Sequence, residues 1–324
     1  MGPNLDPSVR PATSPGAELA ALRAPAASLS RPVAVNLLLS LRPAQWTKNL
    51  FVFAGLIFGQ KLLDPAAVLR SLAAFGVFCA LSSVVYLVND VSDREADRLH
   101  PLKSRRPIAS GALSPAIAGT TAAVLAAVAL VGAFLLGPRF GIVAGTYLAL
   151  MGLYSLSLKH VVILDALTIA IGFVLRAVGG AVVIDVPFSH WLLLLMLLLA
   201  MFLALSKRRA ELVALADGAT GHRRILAEYS PYLLDQMIGV VTASTVLAYA
   251  FYTISSETVA KFGTDRLLYT VPFPLYGIFR YLYLVHQREG GGNPSEVLVT
   301  DRPLLICVAL WALAVVVILY GPWR

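Results

Sequence analysis

Four side chains in one stretch, Asn89, Asp90, Asp93 and Asp97, could hold a cation together. On a continuous helix they fall within about 100° of arc, so all four share one face. Three carboxylates that close repel one another unless positive charge lies between them. Hard oxygen donors of this kind suit Mg2+, which takes one or two carboxylates, several waters and phosphate oxygens. Lys103, Arg105 and Arg106 follow directly and suit the phosphate oxygens that a metal leaves free. A solvated, charged loop is the simpler reading of such residues. Against it stand the apolar runs at 68–88 and 116–136 on either side. Carboxylates set against the end of a membrane-length helix are costly without a function.

Other polar groups stand at the ends of apolar runs. Tyr154, Lys159 and His160 follow one run, and Asp165 lies inside the next, with Arg176 three turns deeper. Tyr154 reads equally as an interfacial belt residue. Asp165 needs a cation or a metal and Arg176 should face the bundle interior, with purely structural pairing within the bundle as the simpler reading of either. Lys207 and Arg208 close a further run, and Lys48 opens the first, as a snorkelling lysine or a phosphate ligand. Asp301 and Arg302, and Gly290 to Pro294, are turn chemistry before anything else.

The elements that must position these groups are membrane helices. The chain has 324 residues, 58% of them hydrophobic, and a mean hydropathy of +0.77. That composition excludes an ordinary soluble domain. The net charge of +8 gathers in connections between apolar runs, which reads as membrane orientation and anionic substrates, with no nucleic acid. Cys79 and Cys307 lie in separate runs as small buried hydrophobes. Residues 1–34 read as a mobile cytoplasmic tail, and no cleavable leader is expected. Residues 35–324 read as a single all-α domain of nine spans, at 47–62, 67–89, 115–136, 140–158, 162–184, 189–206, 236–254, 269–286 and 303–321. Lys and Arg concentrate in the 2–3, 4–5 and 6–7 connections, including Arg223 and Arg224, while the 3–4 connection holds only Arg139. The positive-inside rule then puts those connections and the N-terminus in the cytoplasm.

The motif Asn89-Asp90-x-x-Asp93-x-x-x-Asp97, with its basic cluster and Pro107, resembles the first aspartate motif of the UbiA superfamily of intramembrane prenyltransferases. The resemblance implies a nine-helix bundle that holds a diphosphate through Mg2+ at a cytoplasm-facing active site. Members usually carry a second Asp-x-x-x-Asp motif; here Asp165 stands at its start but Ile169 stands at its end. That departure argues against a prenyl diphosphate donor. Arg42-Pro43-x-Gln45-Trp46-x-Lys48-Asn49, Tyr154-Ser155-x-x-Leu158-Lys159-His160, Leu205-Ser206-Lys207-Arg208 and Asp301-Arg302-Pro303 look more like the branch that takes phosphoribosyl diphosphate (PRPP). The resemblance then implies a plasma-membrane phosphoribosyltransferase. Its acceptor is a polyprenyl phosphate such as decaprenyl phosphate, and its product serves cell-wall arabinogalactan synthesis.

On that reading Asp90, Asp93 and Asp97, assisted by Asn89, hold the metal. Lys48, Lys103, Arg105 and Arg106 neutralise donor phosphates. Tyr154, Lys159 and His160 bind substrate, as do Asp165 and Arg176, and Lys207 and Arg208 meet the lipid phosphate. An ionised acceptor phosphate needs no strong base, so His160 is not required for proton transfer. Two further readings stay open at this point: a prenyltransferase with a polyprenyl diphosphate donor, and a cation-coupled transporter. The pattern also leaves homo-oligomerisation open.

Overall fold

The structure is a computed structural model in which residues 31–100, 103–187, 189–216, 224–287, 297–298 and 300–321 are described. The stretch 1–30, Arg223 and the Gly290–Pro294 turn lie outside those residues. The described residues form helices and no strands. In chain order the helices are α1 (Val33–Leu41), α2 (Ala54–Phe58), α3 (Pro65–Ser92), α4 (Arg94–Leu99), α5 (Pro115–Leu136), α6 (Pro138–Leu156) and α7 (Leu164–Val182). They continue with α8 (His190–Ala216), α9 (Pro231–Ile254), α10 (Ser256–Phe262), α11 (Pro272–Gln287) and α12 (Arg302–Tyr320).

The helix starts are written in short polar-proline pairs. Asp64 caps α3 by accepting from the N–H groups of Ala66 and Ala67, with Pro65 in the first turn. Ser114-Pro115 and Ser230-Pro231 open α5 and α9 in the same way. The side-chain oxygen satisfies an orphan donor, and proline lacks the N–H that would otherwise be orphaned.

Seven helices, α3, α5, α6, α7, α8, α9 and α12, are long and apolar enough to cross a membrane among the described residues. The other two expected spans are helical but shorter. Residues 47–62 fall on a 3-10 stretch, Pro43–Phe53, followed by the five-residue α2. Residues 269–286 fall largely on α11, whose 16 residues rise roughly 24 Å at the α-helical pitch. A fully apolar crossing takes about 20 residues.

α3 and α7 are the most enclosed of the long helices, and α5 and α12 the least. α5 turns Ala118, Ala122, Ala129 and Ala133 inward and packs on α3, while Val124, Val128, Val131 and Leu135 face outward. Small residues let membrane helices approach closely where no hydrophobic force drives them together. The 3-10 stretch lies against both α3 and α7. A Cβ on Gly180 would come within 1.8 Å of the Val52 carbonyl oxygen, so only glycine admits that contact. This close approach sets Lys48 and Asn49 above the middle of α7.

The connection after α4 is anchored by apolar residues. Ile108 and Leu113 are buried with Val84, Leu87, Ala118 and Ala122. Asn36 of α1 donates to the Ala112 carbonyl at 3.2 Å, and Ser83 of α3 donates to the Leu41 carbonyl at 3.0 Å. α1 and the 103–114 segment therefore arrive from two sides on the end of α3, where the acidic motif lies.

Candidate active site

The acidic motif spans a break between two helices. α3 ends at Ser92, Asp93 takes φ −90° and ψ 7°, and α4 begins at Arg94. The helical hydrogen-bond spacing survives the break. The Asp93 N–H donates to the Asn89 carbonyl and the Asp97 N–H to the Asp93 carbonyl, each at 2.8 Å. The four polar residues therefore keep the common face that their spacing requires. Asp90 is 3% exposed and Asp97 4%, so neither carboxylate is left to water.

Their partners are cations. Arg42 donates from Nη2 to Asp90 Oδ1. Arg106 donates from one nitrogen, Nη1, to Asp90 Oδ1 at 3.0 Å and to Asp97 Oδ2 at 2.6 Å. Lys103 Nζ lies 4.0 Å from Asp97 Oδ1. Lys159 donates to Asp93 Oδ1 at 2.7 Å, and Asn89 donates to Asp93 Oδ2 at 3.0 Å. The carboxylates thus do not meet as a bare set: among the described residues no three Asp, Glu, His or Cys side chains converge as metal ligands. The repulsion that their shared face creates is relieved here by interleaved guanidinium and ammonium groups.

Arg42 has no place among the residues that spacing alone singles out as site candidates. It closes α1 in the left-handed region, at φ 54° and ψ 60°, a conformation uncommon for a side-chain-bearing residue. That turn throws its guanidinium back over the Tyr86 ring, 4.9 Å from the centroid, and onto Asp90.

Asp165 belongs to a second, adjoining cluster and is fully buried. Its Oδ2 accepts from Arg208 Nε at 2.7 Å and its Oδ1 from the Tyr229 hydroxyl at 2.8 Å. The Tyr229 oxygen in turn accepts from the Ile163 N–H at 2.7 Å. Burial, with the Asp165 carboxylate beside it, pushes the Tyr229 hydroxyl up to about 12, so it stays a donor. Ile163 has φ 69° and ψ −44°, a strained conformation for a β-branched residue. The Tyr229 hydrogen bond holds it there. Arg208, 2% exposed, also donates to Glu211 at 2.6 Å, and Lys207 lies 3.8 Å from Glu211. Arg208 is therefore committed to two carboxylates. Its expected contact with a lipid phosphate is not prepared by this arrangement. Tyr154 lies close enough to act electrostatically on Arg208.

Deeper, Arg176 makes three hydrogen bonds and none to a carboxylate. It donates to Asn49 Oδ1 and to the Tyr147 hydroxyl, both at 2.7 Å, and to the Gly172 carbonyl at 2.9 Å. Its guanidinium also stacks over the rings of Tyr147 and Phe173. Arg176 therefore faces the bundle interior, and its partners all lie within the bundle. Lys48 precedes Asn49, the residue that accepts from Arg176. Among the described residues no carboxylate pairs with Lys48. A half-buried ammonium without a carboxylate partner calls for an anion.

The structure thus brings together Asn89, Asp90, Asp93, Asp97, Lys103, Arg106 and Lys159 at one end of the bundle, with Tyr154, Asp165, Lys207 and Arg208 in the adjoining cluster, while Arg176 lies eleven residues further along α7, bonded to Asn49 beside Lys48. It leaves Arg105 and His160 exposed and outside the clusters. Asp301 caps α12 and takes a two-point contact from Arg280, at 3.1 and 2.8 Å, a structural role that matches its turn chemistry. Tyr229 and Tyr147 escape a reading by spacing because their partners, Asp165 and Arg176, lie 64 and 29 residues away, whereas Glu211 stands within one helical turn of Arg208 and Lys207. Arg42 carried one signal, its position before Pro43 at the end of a short apolar run.

The donors are chemically suited to a divalent cation, though among the described residues no three of them converge as a ready-made ligand set. One positively charged nitrogen of Arg106 bridges Asp90 and Asp97, so those two carboxylates stand close enough to share a cation.

Membrane helices carrying this motif define a class, and the chain belongs to the UbiA prenyltransferase family, whose model matches residues 49–297. It is 34% identical over 302 residues to the decaprenyl-phosphate phosphoribosyltransferase of Mycolicibacterium smegmatis, covering 89% of this chain and 93% of that one. To the decaprenyl-phosphate phosphoribosyltransferase of Corynebacterium glutamicum it is 33% identical over 298 residues, covering 89% and 88%. In fold it is similar to a UbiA homolog from Archaeoglobus fulgidus bound to GPP and Mg2+. The TM-score is 0.66 at 17% identity, over 88% of this chain and 99% of that one.

Proposed function

We propose that the protein is a membrane-embedded phosphoribosyltransferase. It transfers 5-phosphoribose from PRPP to a polyprenyl phosphate such as decaprenyl phosphate, and it releases diphosphate. The observation that carries this reading is the aspartate cluster ringed by Arg42, Lys103, Arg106 and Lys159, with Lys48, which has no carboxylate partner among the described residues, as a further cation. A site with both features takes a substrate with more than one phosphate. The named activity of the relatives in M. smegmatis and C. glutamicum supports the same substrate pair.

Asn89, Asp90, Asp93 and Asp97 would hold Mg2+; the A. fulgidus homolog of similar fold is bound to GPP and Mg2+. When bound, that ion supplies positive charge to the departing diphosphate. The chain's own groups do the rest. Arg42, Lys103, Arg106 and Lys159 stand where diphosphate oxygens gather. Lys48 and Arg176, with Lys207 at the rim, form a second anion subsite for the 5-phosphate or the acceptor phosphate. The acceptor oxygen attacks ribose C1 as the bond from C1 to the diphosphate oxygen breaks, and the electron pair leaves with diphosphate. No proton moves, because the acceptor phosphate is already ionised. Fixed cations around a developing negative charge are the kind of preorganised term that dominates such reactions. The knot of Asp165, Arg208 and Tyr229 positions the turn that carries Lys159. The site opens to the cytoplasm, and the bundle lies in the plasma membrane, where the product feeds cell-wall arabinan synthesis.

A donor comparison tests this. Purified protein with Mg2+ and decaprenyl phosphate is expected to incorporate label from radiolabelled PRPP and none from a labelled prenyl diphosphate offered with an aromatic acceptor. Incorporation from the prenyl donor alone would assign the site to the other branch of the family. Cation flux in liposomes lacking any lipid phosphate would point to a transporter instead.

A further inference from the structure

We propose that Arg42, Arg106 and Lys159 are diphosphate-binding groups held in reserve by the aspartates they now pair with. A divalent cation, by taking over those carboxylates, releases them. The proposal rests on the metal-and-diphosphate reading above and adds a binding mechanism to it.

The geometry points this way at each carboxylate. Asp93 spends one oxygen on Lys159 and the other on Asn89. Asp90 receives both Arg42 and Arg106 on a single oxygen, Oδ1, and the same Arg106 nitrogen reaches Asp97. Metal ligation and ion pairing compete for these oxygens, since an oxygen that donates its lone pairs to a divalent ion offers little to a guanidinium. Charge makes the exchange favourable. Asp90, Asp93 and Asp97 face Arg42, Lys103, Arg106 and Lys159, a net charge of one positive. A divalent ion raises that to three positive, which balances the roughly three negative charges of an ionised diphosphate. Without the ion, the cations are largely neutralised before any phosphate arrives.

The released groups have somewhere to stay. Arg42 rests on the Tyr86 ring, so it keeps its position when Asp90 turns to another partner. Arg106 is carried by the 103–114 segment, pinned beneath by Ile108 and Leu113. Lys159 sits on the turn that Tyr229 braces through Ile163. Metal and diphosphate then bind with strong positive coupling, each raising the affinity for the other by the same factor.

Calorimetry with inorganic pyrophosphate on the purified full chain tests the exchange without turnover. In EDTA the native protein is expected to bind pyrophosphate weakly, and Mg2+ to tighten it. Asp93→Asn unlocks Lys159, so in EDTA it is expected to bind pyrophosphate about tenfold tighter than the native chain, and to gain less from Mg2+. Asp97→Asn loosens Arg106, which Asp90 still holds, and is expected to show the same effect more weakly. Asp93 is the more exposed of the two and the safer to change. Glu95→Gln removes a carboxylate from the same short helix, one paired among the described residues with Arg94 and Arg98 and with none of the motif's cations, and is expected to change nothing. If Asp93→Asn binds no tighter than native in EDTA, or if Glu95→Gln tightens binding as much, the reserve mechanism is wrong. If monodisperse native protein fails to bind pyrophosphate even with Mg2+, the site reading itself falls, and this proposal with it.

Discussion

Asp97→Asn is expected to lower phosphoribosyl transfer by about a hundred- to a thousandfold or more, while the protein still inserts and purifies as a monodisperse species. Asp97 is buried, shares Arg106 with Asp90, and lies on the one face that all four motif residues present. Asparagine fills the same space and leaves Arg106 paired with Asp90, so the local fold survives while the hold on Arg106 loosens. It loses the charge that a divalent ion requires. Because the variant should bind pyrophosphate better without metal yet fail to turn over, binding and catalysis move in opposite directions. A general loss of folding cannot produce that split. Full activity in purified Asp97→Asn would remove the metal site from the account.

The second large effect is on stability. Asp165→Ala strips Arg208 of its Nε partner and leaves the Tyr229 hydroxyl without its acceptor. Asp165 is fully buried and Arg208 nearly so, so water cannot replace what is lost. Breaking a buried ion pair from one side costs about 3–5 kcal/mol, because a desolvated charge is left behind. The expected result is a clearly lower melting temperature in detergent, with Asp165→Asn milder because it retains an acceptor oxygen. Glu211 still faces Arg208 in both variants, which sets the loss below that of an orphaned guanidinium. An unchanged melting temperature for Asp165→Ala would mean that the knot does not brace the turn carrying Lys159.

The sequence carries the acidic motif plainly because carboxylates at a membrane-helix end are rare and their spacing is helical. It also carries the helical starts, since Asp64-Pro65, Ser114-Pro115 and Ser230-Pro231 each combine a capping oxygen with a residue lacking an N–H. The first expected span reads differently in the structure. An apolar run of this length does not distinguish a 3-10 stretch from an α-helix, and the contact that fixes it, Val52 on Gly180, joins residues far apart in the chain. Partner identity was the least legible feature. Asp165 was recognised as needing a cation, but nothing local indicates Arg208, 43 residues on, or Tyr229, 64 residues on. Lys159 and Arg106 were read as phosphate ligands, and the structure pairs both with the aspartates. Residue type announces a charge, whereas only packing decides which opposite charge it meets.

The most direct measurement is mass spectrometry of the lipid recovered after purified protein, Mg2+ and decaprenyl phosphate are incubated with PRPP. The account predicts a new lipid heavier than decaprenyl phosphate by one phosphoribosyl group, dependent on Mg2+ and absent with Asp97→Asn. Unmodified decaprenyl phosphate with the native protein, under conditions where pyrophosphate binds, would contradict it.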